Sequence, residues 1–422
     1  MSKNPDVVVI GAGAAGIVAA MQAAKIGARV TVLEKTPRLG TKILISGGGK
    51  CNITHDGSIE HVLKAFRPNE ARFLRPSCYK FTNKQIVELL TRRGMNVYTR
   101  PDGRIFPVDQ TAKDVVAILE NYLYESGGTV LKETPAIKIS HSEGRITGVI
   151  TNRGEIPCSQ VIVSVGGSSY SNSGTTGDGW PWAEEMGHKL VRRLAALAPL
   201  YLKLDWESPS GVALRDCVLK ARLNGKEIDR WKGDLLFTHQ GLSGPCALGI
   251  SRVVSENFSN GSVQCEVDIT PEKTFEELQA DLNQYAERSP KKQLISFTES
   301  FMPERIAELI HHISGIDPIS PCQRVGKKDR NRLIEHIKMM PLGSVRVVPL
   351  EKGEVVAGGV SLDEVDPQTL ESLKMKGLYL CGEVLDIAGP VGGYNLQAAW
   401  STGYVAGETA ANTAIAGRKN IR

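Results

Sequence analysis

The chain has 422 residues, of which 41% are hydrophobic and 23% charged, as in an ordinary globular protein of two or three domains. Its 51 basic and 46 acidic residues leave a net charge of +5, too small an excess to indicate a nucleic acid partner. Eight cysteines without a C-x-x-C pair are typical of reduced cytoplasmic thiols, and the sequence has no cluster of ligands that predicts a metal site.

The N-terminal stretch DVVVIGAGAAGIVAAMQAAKIGARVTVLE, residues 6–34, predicts a strand, a turn, a helix and a second strand. The turn carries Gly11, Gly13 and Gly16 with the G-x-G-x-x-G spacing of dinucleotide-binding folds. In such folds the glycines permit a tight turn, close approach of a pyrophosphate and close packing of the helix on the strand. Glu34 ends the second strand, where a ribose 2′-hydroxyl binds, so the sequence favours FAD or NAD over NADP.

Two other interpretations fit part of this stretch. A glycine-rich turn also occurs in α/β proteins that bind no nucleotide, but the ordered strand, helix, strand and acid disfavour that interpretation. Residues 7–24 carry no charge and could form a signal peptide or a membrane span. Their three glycines and Gln22 argue against both.

A second glycine-rich stretch, SGGGKCN at residues 46–52, follows a short apolar run. Three consecutive glycines can bring backbone amides close to a ligand. Lys35, Arg38, Lys42 and Lys50 add positive charge that suits a diphosphate or an anionic reduced flavin. A flexible solvated loop is the alternative interpretation.

The pattern changes at residue 129 from a helical period to a period of two. Turn residues at 142–144 and 152–154 predict a three-stranded meander between two strands of the dinucleotide fold. The next strand runs into Gly166 and Gly167. The predicted elements of this part are helices over 82–93, 111–126 and 180–186 and strands over 130–131, 137–140, 145–151, 155–158 and 160–165.

A block from about residue 190 has a different pattern and interrupts the dinucleotide fold. Four strand-like segments indicate an antiparallel barrel or sandwich, and four helix-like segments follow them. The predicted segments are strands over 201–204, 217–223, 234–238 and 263–269 and helices over 274–288, 291–301, 304–313 and 328–339.

The dinucleotide-type pattern resumes near the C-terminus, where a short buried strand, LYLC, ends at Gly382 and Glu383. Asp386 and a glycine-rich turn over residues 389–395 lead into a helix predicted over 396–413. The positive N-terminal end of that helix can face a ligand. Together with the first glycine-rich turn, it predicts two walls of one cofactor site.

These motifs together resemble those of the BaiN-type (YhiN-type) NAD(P)/FAD-dependent oxidoreductases, a family that includes aminoacetone oxidases. The resemblance covers essentially the whole chain, and the FAD half is more distantly similar to the fumarate reductase and L-aspartate oxidase group. The motifs that carry it are GAGAAG at 11–16 with Glu34, SGGGKCN at 46–52, TGDG at 176–179, FTHQGLSGP at 237–245, and GE at 382–383 through GGYN at 392–395.

The resemblance implies an α/β fold with a Rossmann-type FAD-binding domain of the two-dinucleotide-binding, glutathione reductase-like kind. An inserted antiparallel β-barrel-like subdomain and a helical subdomain would cover the flavin face. The predicted boundaries are 1–190 and 343–422 for the FAD-binding domain, 191–270 for the barrel-like domain and 271–342 for the helical domain.

The resemblance also implies one FAD, shared by the two ends of the chain. We expect no covalent link, because residues 46–52 contain no histidine for attachment. The pyrophosphate would lie at the first glycine-rich turn and the adenosine ribose at Glu34. Lys42, Gly48 and Asn52 would lie along the ribityl chain and the flavin.

Further cofactor contacts are implied in the same way. Ala136 would meet the adenine, and Asp178 and Glu383 match acidic FAD contacts of the larger group. Asn395 and Leu396 would offer backbone amides to the N1–C2=O edge of the flavin, where reduction places negative charge. The complete predicted set of cofactor-binding residues is Gly11, Gly13, Ala14, Ala15, Gly16, Glu34, Lys35, Arg38, Lys42, Ser46, Gly47, Gly48, Gly49, Cys51, Asn52, Ala136, Gly166, Gly167, Asp178, Gly382, Glu383, Asp386, Gly393, Tyr394, Asn395 and Leu396.

The candidate catalytic residues are His239, Tyr394 and Arg104. His239 can titrate near neutrality, and we expect it to face the flavin from the inserted block, although a structural histidine is the alternative. Arg104 could equally form a surface ion pair. Cys51 could be redox-active, but a small packing residue is the favoured interpretation.

The sequence therefore predicts a flavin-dependent oxidoreductase that acts on a small molecule, with NAD(P)H as a candidate donor. An amine oxidase that makes hydrogen peroxide and a non-enzymatic FAD-binding redox sensor stay open as alternatives. A disulfide reductase is excluded because Cys51 has no closely spaced cysteine partner. We expect neither a nucleic acid nor a membrane partner, and the sequence does not indicate the oligomeric state.

Overall fold

The structure is a computed structural model that describes residues 4–203, 207 and 209–419. The outermost residues of the predicted FAD-binding domain and the end of the strand predicted over 201–204 lie outside these ranges. The described residues form two compact units, one within Met1–Arg193 and Val355–Arg422 and the other within Leu194–Glu354.

The first part of the chain contributes eleven strands and seven helices among the described residues. They are β1 (Val7–Ile10), α1 (Ala14–Ile26), β2 (Val30–Leu33), α2 (Thr41–Ile45), β3 (Thr54–His55), α3 (Ile59–Lys64), α4 (Pro68–Lys80), α5 (Asn83–Thr91), β4 (Val97–Thr99), β5 (Arg104–Pro107), α6 (Ala112–Glu125), β6 (Thr129–Leu131), β7 (Ala136–Ser142), β8 (Arg145–Thr151), β9 (Gly154–Pro157), β10 (Gln160–Val163), α7 (Gly179–Glu185) and β11 (Leu190–Ala196).

The remaining elements belong to the inserted block and the C-terminal return. The inserted block contains β12 (Leu200–Lys203), β13 (Ala213–Leu223), β14 (Lys226–Thr238), β15 (Gly241–Ser243), α8 (Gly244–Asn257), β16 (Val263–Asp268), α9 (Phe275–Arg288), α10 (Ile295–Thr298), α11 (Glu304–Ser314), α12 (Lys327–Lys338) and β17 (Met340–Val347). The return contains β18 (Val355–Val360), β19 (Leu378–Leu380) and α13 (Tyr394–Lys419).

A parallel five-stranded sheet is the centre of the first unit. Its strand order is β19-β10-β1-β2-β6, so the C-terminal strand β19 belongs to the same sheet as the N-terminal strands β1 and β2. Val7, Val8 and Val9 are fully buried, as expected for a strand covered on both faces. Because all five strands are parallel, their carboxyl ends meet at one edge, where ligands bind in such folds.

Helices α1 and α13 pack against each other through small residues. A Cβ at Gly403 would lie 2.2 Å from Ala15 O, and a Cβ at Gly407 would lie 2.1 Å from Ala19 O. Only glycine at these two positions of α13 allows the backbones to come this close. The helix is also longer than the predicted 396–413.

The inserted block forms a closed six-stranded barrel, in the order β12-β15-β14-β13-β16-β17, so the barrel alternative is correct and the sandwich is wrong. One hydrophobic cluster joins the barrel interior to helices α8 to α12. The three-stranded meander of β7, β8 and β9 is confirmed. Among the described residues no helix is long and apolar enough to cross a membrane.

Prolines bear on two of the differences from the predicted elements, helices α4 and α8, and a third difference lies near α10. The helix predicted over 291–301 is reduced to α10, and Leu294 N just before it donates to Ser320 O at 3.0 Å instead of to a carbonyl of its own helix. Helix α4 was not predicted, since Pro76 interrupts its pattern. Helix α8 begins at Gly244 and Pro245, which look like a turn in the sequence.

We expect Gly407→Ala to destabilise the protein by about 1–3 kcal/mol, because the new methyl group would collide with the backbone of α1. Gly417→Ala makes the same change in the same helix where a Cβ meets nothing within 4 Å. That control should be neutral or stabilising by up to about 1 kcal/mol. Urea unfolding followed by circular dichroism measures both, and equal midpoints for the two variants would contradict the packing.

Candidate functional site

The turn between β1 and α1 needs two of its three glycines for its geometry. Gly11 has a φ of +95°, and a Cβ there would lie 2.9 Å from Ser164 O. A Cβ at Gly16 would lie 1.9 Å from Gly11 O. Ser164 Oγ, just after β10, donates to the carbonyls of Ile10 and Gly11 at 2.8 and 2.9 Å. The residue that follows β10 therefore holds the turn in place.

Gly13 is in a different situation. Its φ of −80° and ψ of −167° suit any residue, and the nearest neighbour of a Cβ would be Ser164 O at 4.0 Å. No side chain caps α1. The amides of its first turn, among them those of Ala14 and Ala15, therefore have no acceptor within the helix or on a capping side chain. With the helix dipole they form an anion site that fits the pyrophosphate of FAD.

Glu34 connects the end of β2 to this turn. Its Oε2 accepts from Ala12 N at 2.9 Å, and its Oε1 accepts from Thr36 N and Thr36 Oγ1, both at 2.8 Å. The side chain is buried, yet a carboxylate has about four acceptor positions, so it keeps capacity for a ribose hydroxyl. Its assignment to the ribose stays a prediction.

The predicted positive charges and acids pair with one another. Lys42 Nζ lies 2.5 Å from Glu383 Oε2 and 2.9 Å from Ser169 Oγ, and thereby joins the two ends of the chain. Lys35 Nζ lies 2.5 Å from Asp178 Oδ2. Gly166 and Gly167 follow β10 here, and a Cβ at Gly167 would lie 2.9 Å from Glu383 Oε1. These lysines therefore hold the loops around the site, whereas Arg38 is exposed.

The second glycine-rich stretch forms a short turn, Ser46–Gly49, in which Gly47, Gly48 and Gly49 all have positive φ. A Cβ at Gly47 would lie 2.9 Å from Asn52 N, whereas one at Gly48 would meet nothing within 4 Å. Cys51 is fully buried, and burial raises the pKa of its thiol to about 12. A thiol that stays protonated is a poor nucleophile, which favours the packing interpretation.

Asn52 and the start of α13 come together at this point. In the orientation that satisfies both neighbours, the Asn52 amide donates to Thr54 O at 3.1 Å and accepts from Gly393 N at 2.9 Å. The Asn395 side chain is held by Gly389, whose N donates to Asn395 Oδ1 at 2.8 Å. Leu396 lies in the first turn of α13, where backbone amides have no acceptor within the helix, so its amide is available to a ligand.

Two candidate catalytic residues, Tyr394 and Arg104, lie in one cluster. The Tyr394 ring stacks on His55 with centroids 4.7 Å apart, and His55 Nε2 lies 3.1 Å from Asp102 O. Arg104 Nε donates to Asp102 Oδ2 at 2.8 Å and holds the pKa of that carboxyl below its usual range. His55 and Asp102 were missed from the sequence, because only the pairing of β3 with β5 brings them together.

The third candidate, His239, lies in the exposed turn between β14 and β15 of the Leu194–Glu354 unit. Its catalytic role stays a prediction, as do the remaining cofactor assignments. Ala136 begins β7, Gly382 N donates to Thr402 Oγ1 at 3.0 Å, and Asp386 Oδ1 accepts from Gly358 N at 2.9 Å. Within the described ranges no group of His, Cys, Asp and Glu side chains is placed to hold a metal ion.

Comparisons with known proteins identify relatives along the whole chain. A family model described as "HI0933-like protein Rossmann domain" matches residues 5–409. A ribosomal RNA dihydrouridine synthase of Haemophilus influenzae is 32% identical over 412 residues, 96% of this chain and 98% of that protein. A 3-dehydro-bile acid delta(4,6)-reductase of Clostridium scindens is 30% identical over 408 residues, 96% and 98% of the two chains. The 3-ketosteroid delta1-dehydrogenase structure from Sterolibacterium denitrificans shares the fold, with a TM-score of 0.54 at 14% identity over 97% of this chain and 99% of that one.

We expect Gly13→Val to abolish stoichiometric FAD while leaving the protein folded, because the backbone accepts a side chain and only the anion site is blocked. Gly326→Val is the matched control, since Gly326 also precedes an uncapped helix in extended backbone with no neighbour within 4 Å of a Cβ. Absorbance of the purified variants gives the FAD content, and circular dichroism checks the fold. A yellow Gly13→Val protein would exclude the pyrophosphate from this turn.

Proposed function

The chain belongs to the HI0933-like family, and on that premise we propose that it reduces a carbon–carbon double bond conjugated to a carbonyl. The proposed substrate is uridine in ribosomal RNA. Membership confirms the sequence resemblance to the BaiN-type flavoproteins. It also confirms the Rossmann-type FAD-binding fold and the class of flavin-dependent oxidoreductases. The substrate, the electron donor and the mode of FAD attachment are proposals.

The end-to-end match to the ribosomal RNA dihydrouridine synthase carries the proposal of substrate. The near-neutral charge of the whole chain led to the expectation of no nucleic acid partner, and this relative supports the opposite proposal. The name of the bile acid reductase describes the same bond chemistry in a different molecule, because a double bond beside a carbonyl is reduced in both cases. A steroid dienone is therefore the second candidate substrate.

FAD, when bound, supplies the hydride chemistry of such a reduction. We propose that it is held without a covalent bond, because residues 46–52 contain no histidine and the Cys51 thiol is buried and protonated. The uncapped start of α1 and the lack of any close contact at Gly13 support binding of the diphosphate. NADPH or NADH is the proposed donor, while amine oxidation and redox sensing receive no support from these two relatives.

The saturated product needs a proton as well as a hydride, and Tyr394 is the proposed proton donor. Burial and the nearby Asp102 carboxylate raise the pKa of Tyr394, so its hydroxyl keeps its proton throughout the physiological range. His55 stacks on the ring and fixes its plane, and Arg104 holds Asp102 in place. His239 remains a second candidate donor from the inserted block.

We expect the purified protein to convert uridine to dihydrouridine in unmodified ribosomal RNA when NADPH or NADH is supplied without oxygen. Mass spectrometry of the digested nucleosides measures the product. A 3-oxo-4,6-diene steroid and a small aliphatic amine, supplied in parallel, separate the alternative substrates. Turnover of the steroid or the amine without dihydrouridine would refute the RNA assignment.

Replacing Tyr394 by Phe should slow product formation by about 10²–10⁴-fold, the usual contribution of a positioned acid, while FAD content stays unchanged. His239→Ala is compared in the same assay, and the two variants decide between the candidate donors. Rates are measured at pH 6 to 9 in single turnover. Unchanged rates for Tyr394→Phe together with a slow His239→Ala variant would move the role to His239.

A further inference from the structure

Six exposed basic side chains lie together at one end of the helical part of the Leu194–Glu354 unit. We propose that this surface, here called the basic edge, binds the phosphate backbone of the RNA that carries the target uridine. The inference deepens the proposed function and rests on it. The basic edge consists of Arg288, Lys291, Lys292, Arg324, Lys327 and Lys328.

The fold gathers these residues from two segments of the chain. Helices α9 and α12 run antiparallel, as the bonds Gln279–Asn331 and Asn283–Arg330 show, so the end of α9 lies beside the start of α12. The loops that continue from these ends are also joined. Cys322 N donates to Lys292 O at 2.9 Å, and the next residue donates to Pro290 O at 3.0 Å. The six side chains therefore share one edge of the molecule.

The charges of the basic edge are not neutralised within the protein. None of the six side chains forms an ion pair with a carboxylate of the described residues, although many other cations of the same unit do. Lys273, for example, forms an ion pair with Asp281. Asp329, the acid nearest to Lys327 and Lys328 on their own helix, forms its ion pair with Arg332 instead. Lysines and arginines left unpaired on one surface are the usual footprint of a polyanion site.

The start of α12 adds to the same positive field. Its N-cap is Gly326, and no side chain caps the helix, so the amides of its first turn have no intrahelical acceptor. A phosphate at this position would meet both backbone amides and the Lys327 and Lys328 side chains. Surfaces that track an RNA backbone combine such amides with flexible cations.

The helical part of this unit has no net charge, but its acidic and basic residues lie at different ends. Residues 271–342 contain eleven basic and eleven acidic residues, so their net charge is zero. Glu276 and Glu277 lie in the first turn of α9, and Arg288 lies at its other end, about 20 Å away for a helix of this length. An anionic strand would therefore be attracted to the Arg288 end of α9 and repelled from the end that carries Glu276 and Glu277.

The test neutralises the basic edge in the FAD-loaded, full-length protein. The variant K291Q/K292Q/K327Q/K328Q removes four charges, and K226Q/K232Q/K273Q/K352Q removes four exposed lysine charges elsewhere in the unit. Filter binding to an unmodified ribosomal RNA fragment is measured at several salt concentrations. Each phosphate contact contributes about 0.7–0.9 to the slope of log K against log salt, so the first variant should lower the slope by about three and weaken binding at least roughly tenfold. The control variant should change neither quantity.

The outcomes separate the two claims. A wild-type protein that makes dihydrouridine, together with an edge variant that binds RNA as the control does, would overturn the basic edge and leave the proposed function standing. A wild-type protein that neither modifies nor binds the RNA would overturn both. Charge-dependent binding to vesicles of anionic phospholipid, without RNA binding, would also overturn the proposal.

Discussion

The close parallel contact of α1 with α13 determines where a cofactor site can form. Gly403 packs at Ala15 and Gly407 at Ala19, so the same offset relates the two helices over at least one turn. Tyr394, the first residue of α13, precedes Gly403 by nine residues, which places the start of α13 about 12 Å beyond the start of α1. Two positive helix ends are thus held at a fixed separation, one suited to a diphosphate and the other to the anionic edge of a reduced ring.

This constraint also explains why the chain needs both of its ends for one site. Strand β19 and helix α13 come from the C-terminal part, and β1 with α1 from the N-terminal part, yet they share one sheet and one helix contact. The ion pair of Lys42 with Glu383 repeats the connection at the edge of the site. An insertion between the two parts therefore leaves the cofactor fold intact.

Sequence reasoning predicted what depends on local pattern and missed what depends on pairing between distant residues. The glycine spacing, Glu34 and the helix of α1 follow from local rules, and the structure has the predicted helix directly after the glycine turn, at Ala14–Ile26. His55 becomes a neighbour of Tyr394 only through tertiary packing, for which the sequence carries no signal. Likewise, Lys42 was predicted to add positive charge beside the cofactor, but its ion pair with Glu383, 341 residues away, was not predicted. The net charge of the chain gave no indication that acidic and basic residues lie at opposite ends of α9.

The three glycines of the first turn show how fold and ligand requirements can be told apart. Gly11 and Gly16 are needed by the protein itself, since a Cβ would collide with its own backbone at either position. Gly13 meets no such restriction, for its backbone angles suit any residue and a Cβ there would come no closer than 4.0 Å to another part of the chain, at Ser164 O. A glycine that the fold does not require, at an uncapped helix end, leaves room for a ligand beside the first amides of the helix. Gly13 and the uncapped start of α1 therefore support the diphosphate proposed for this turn.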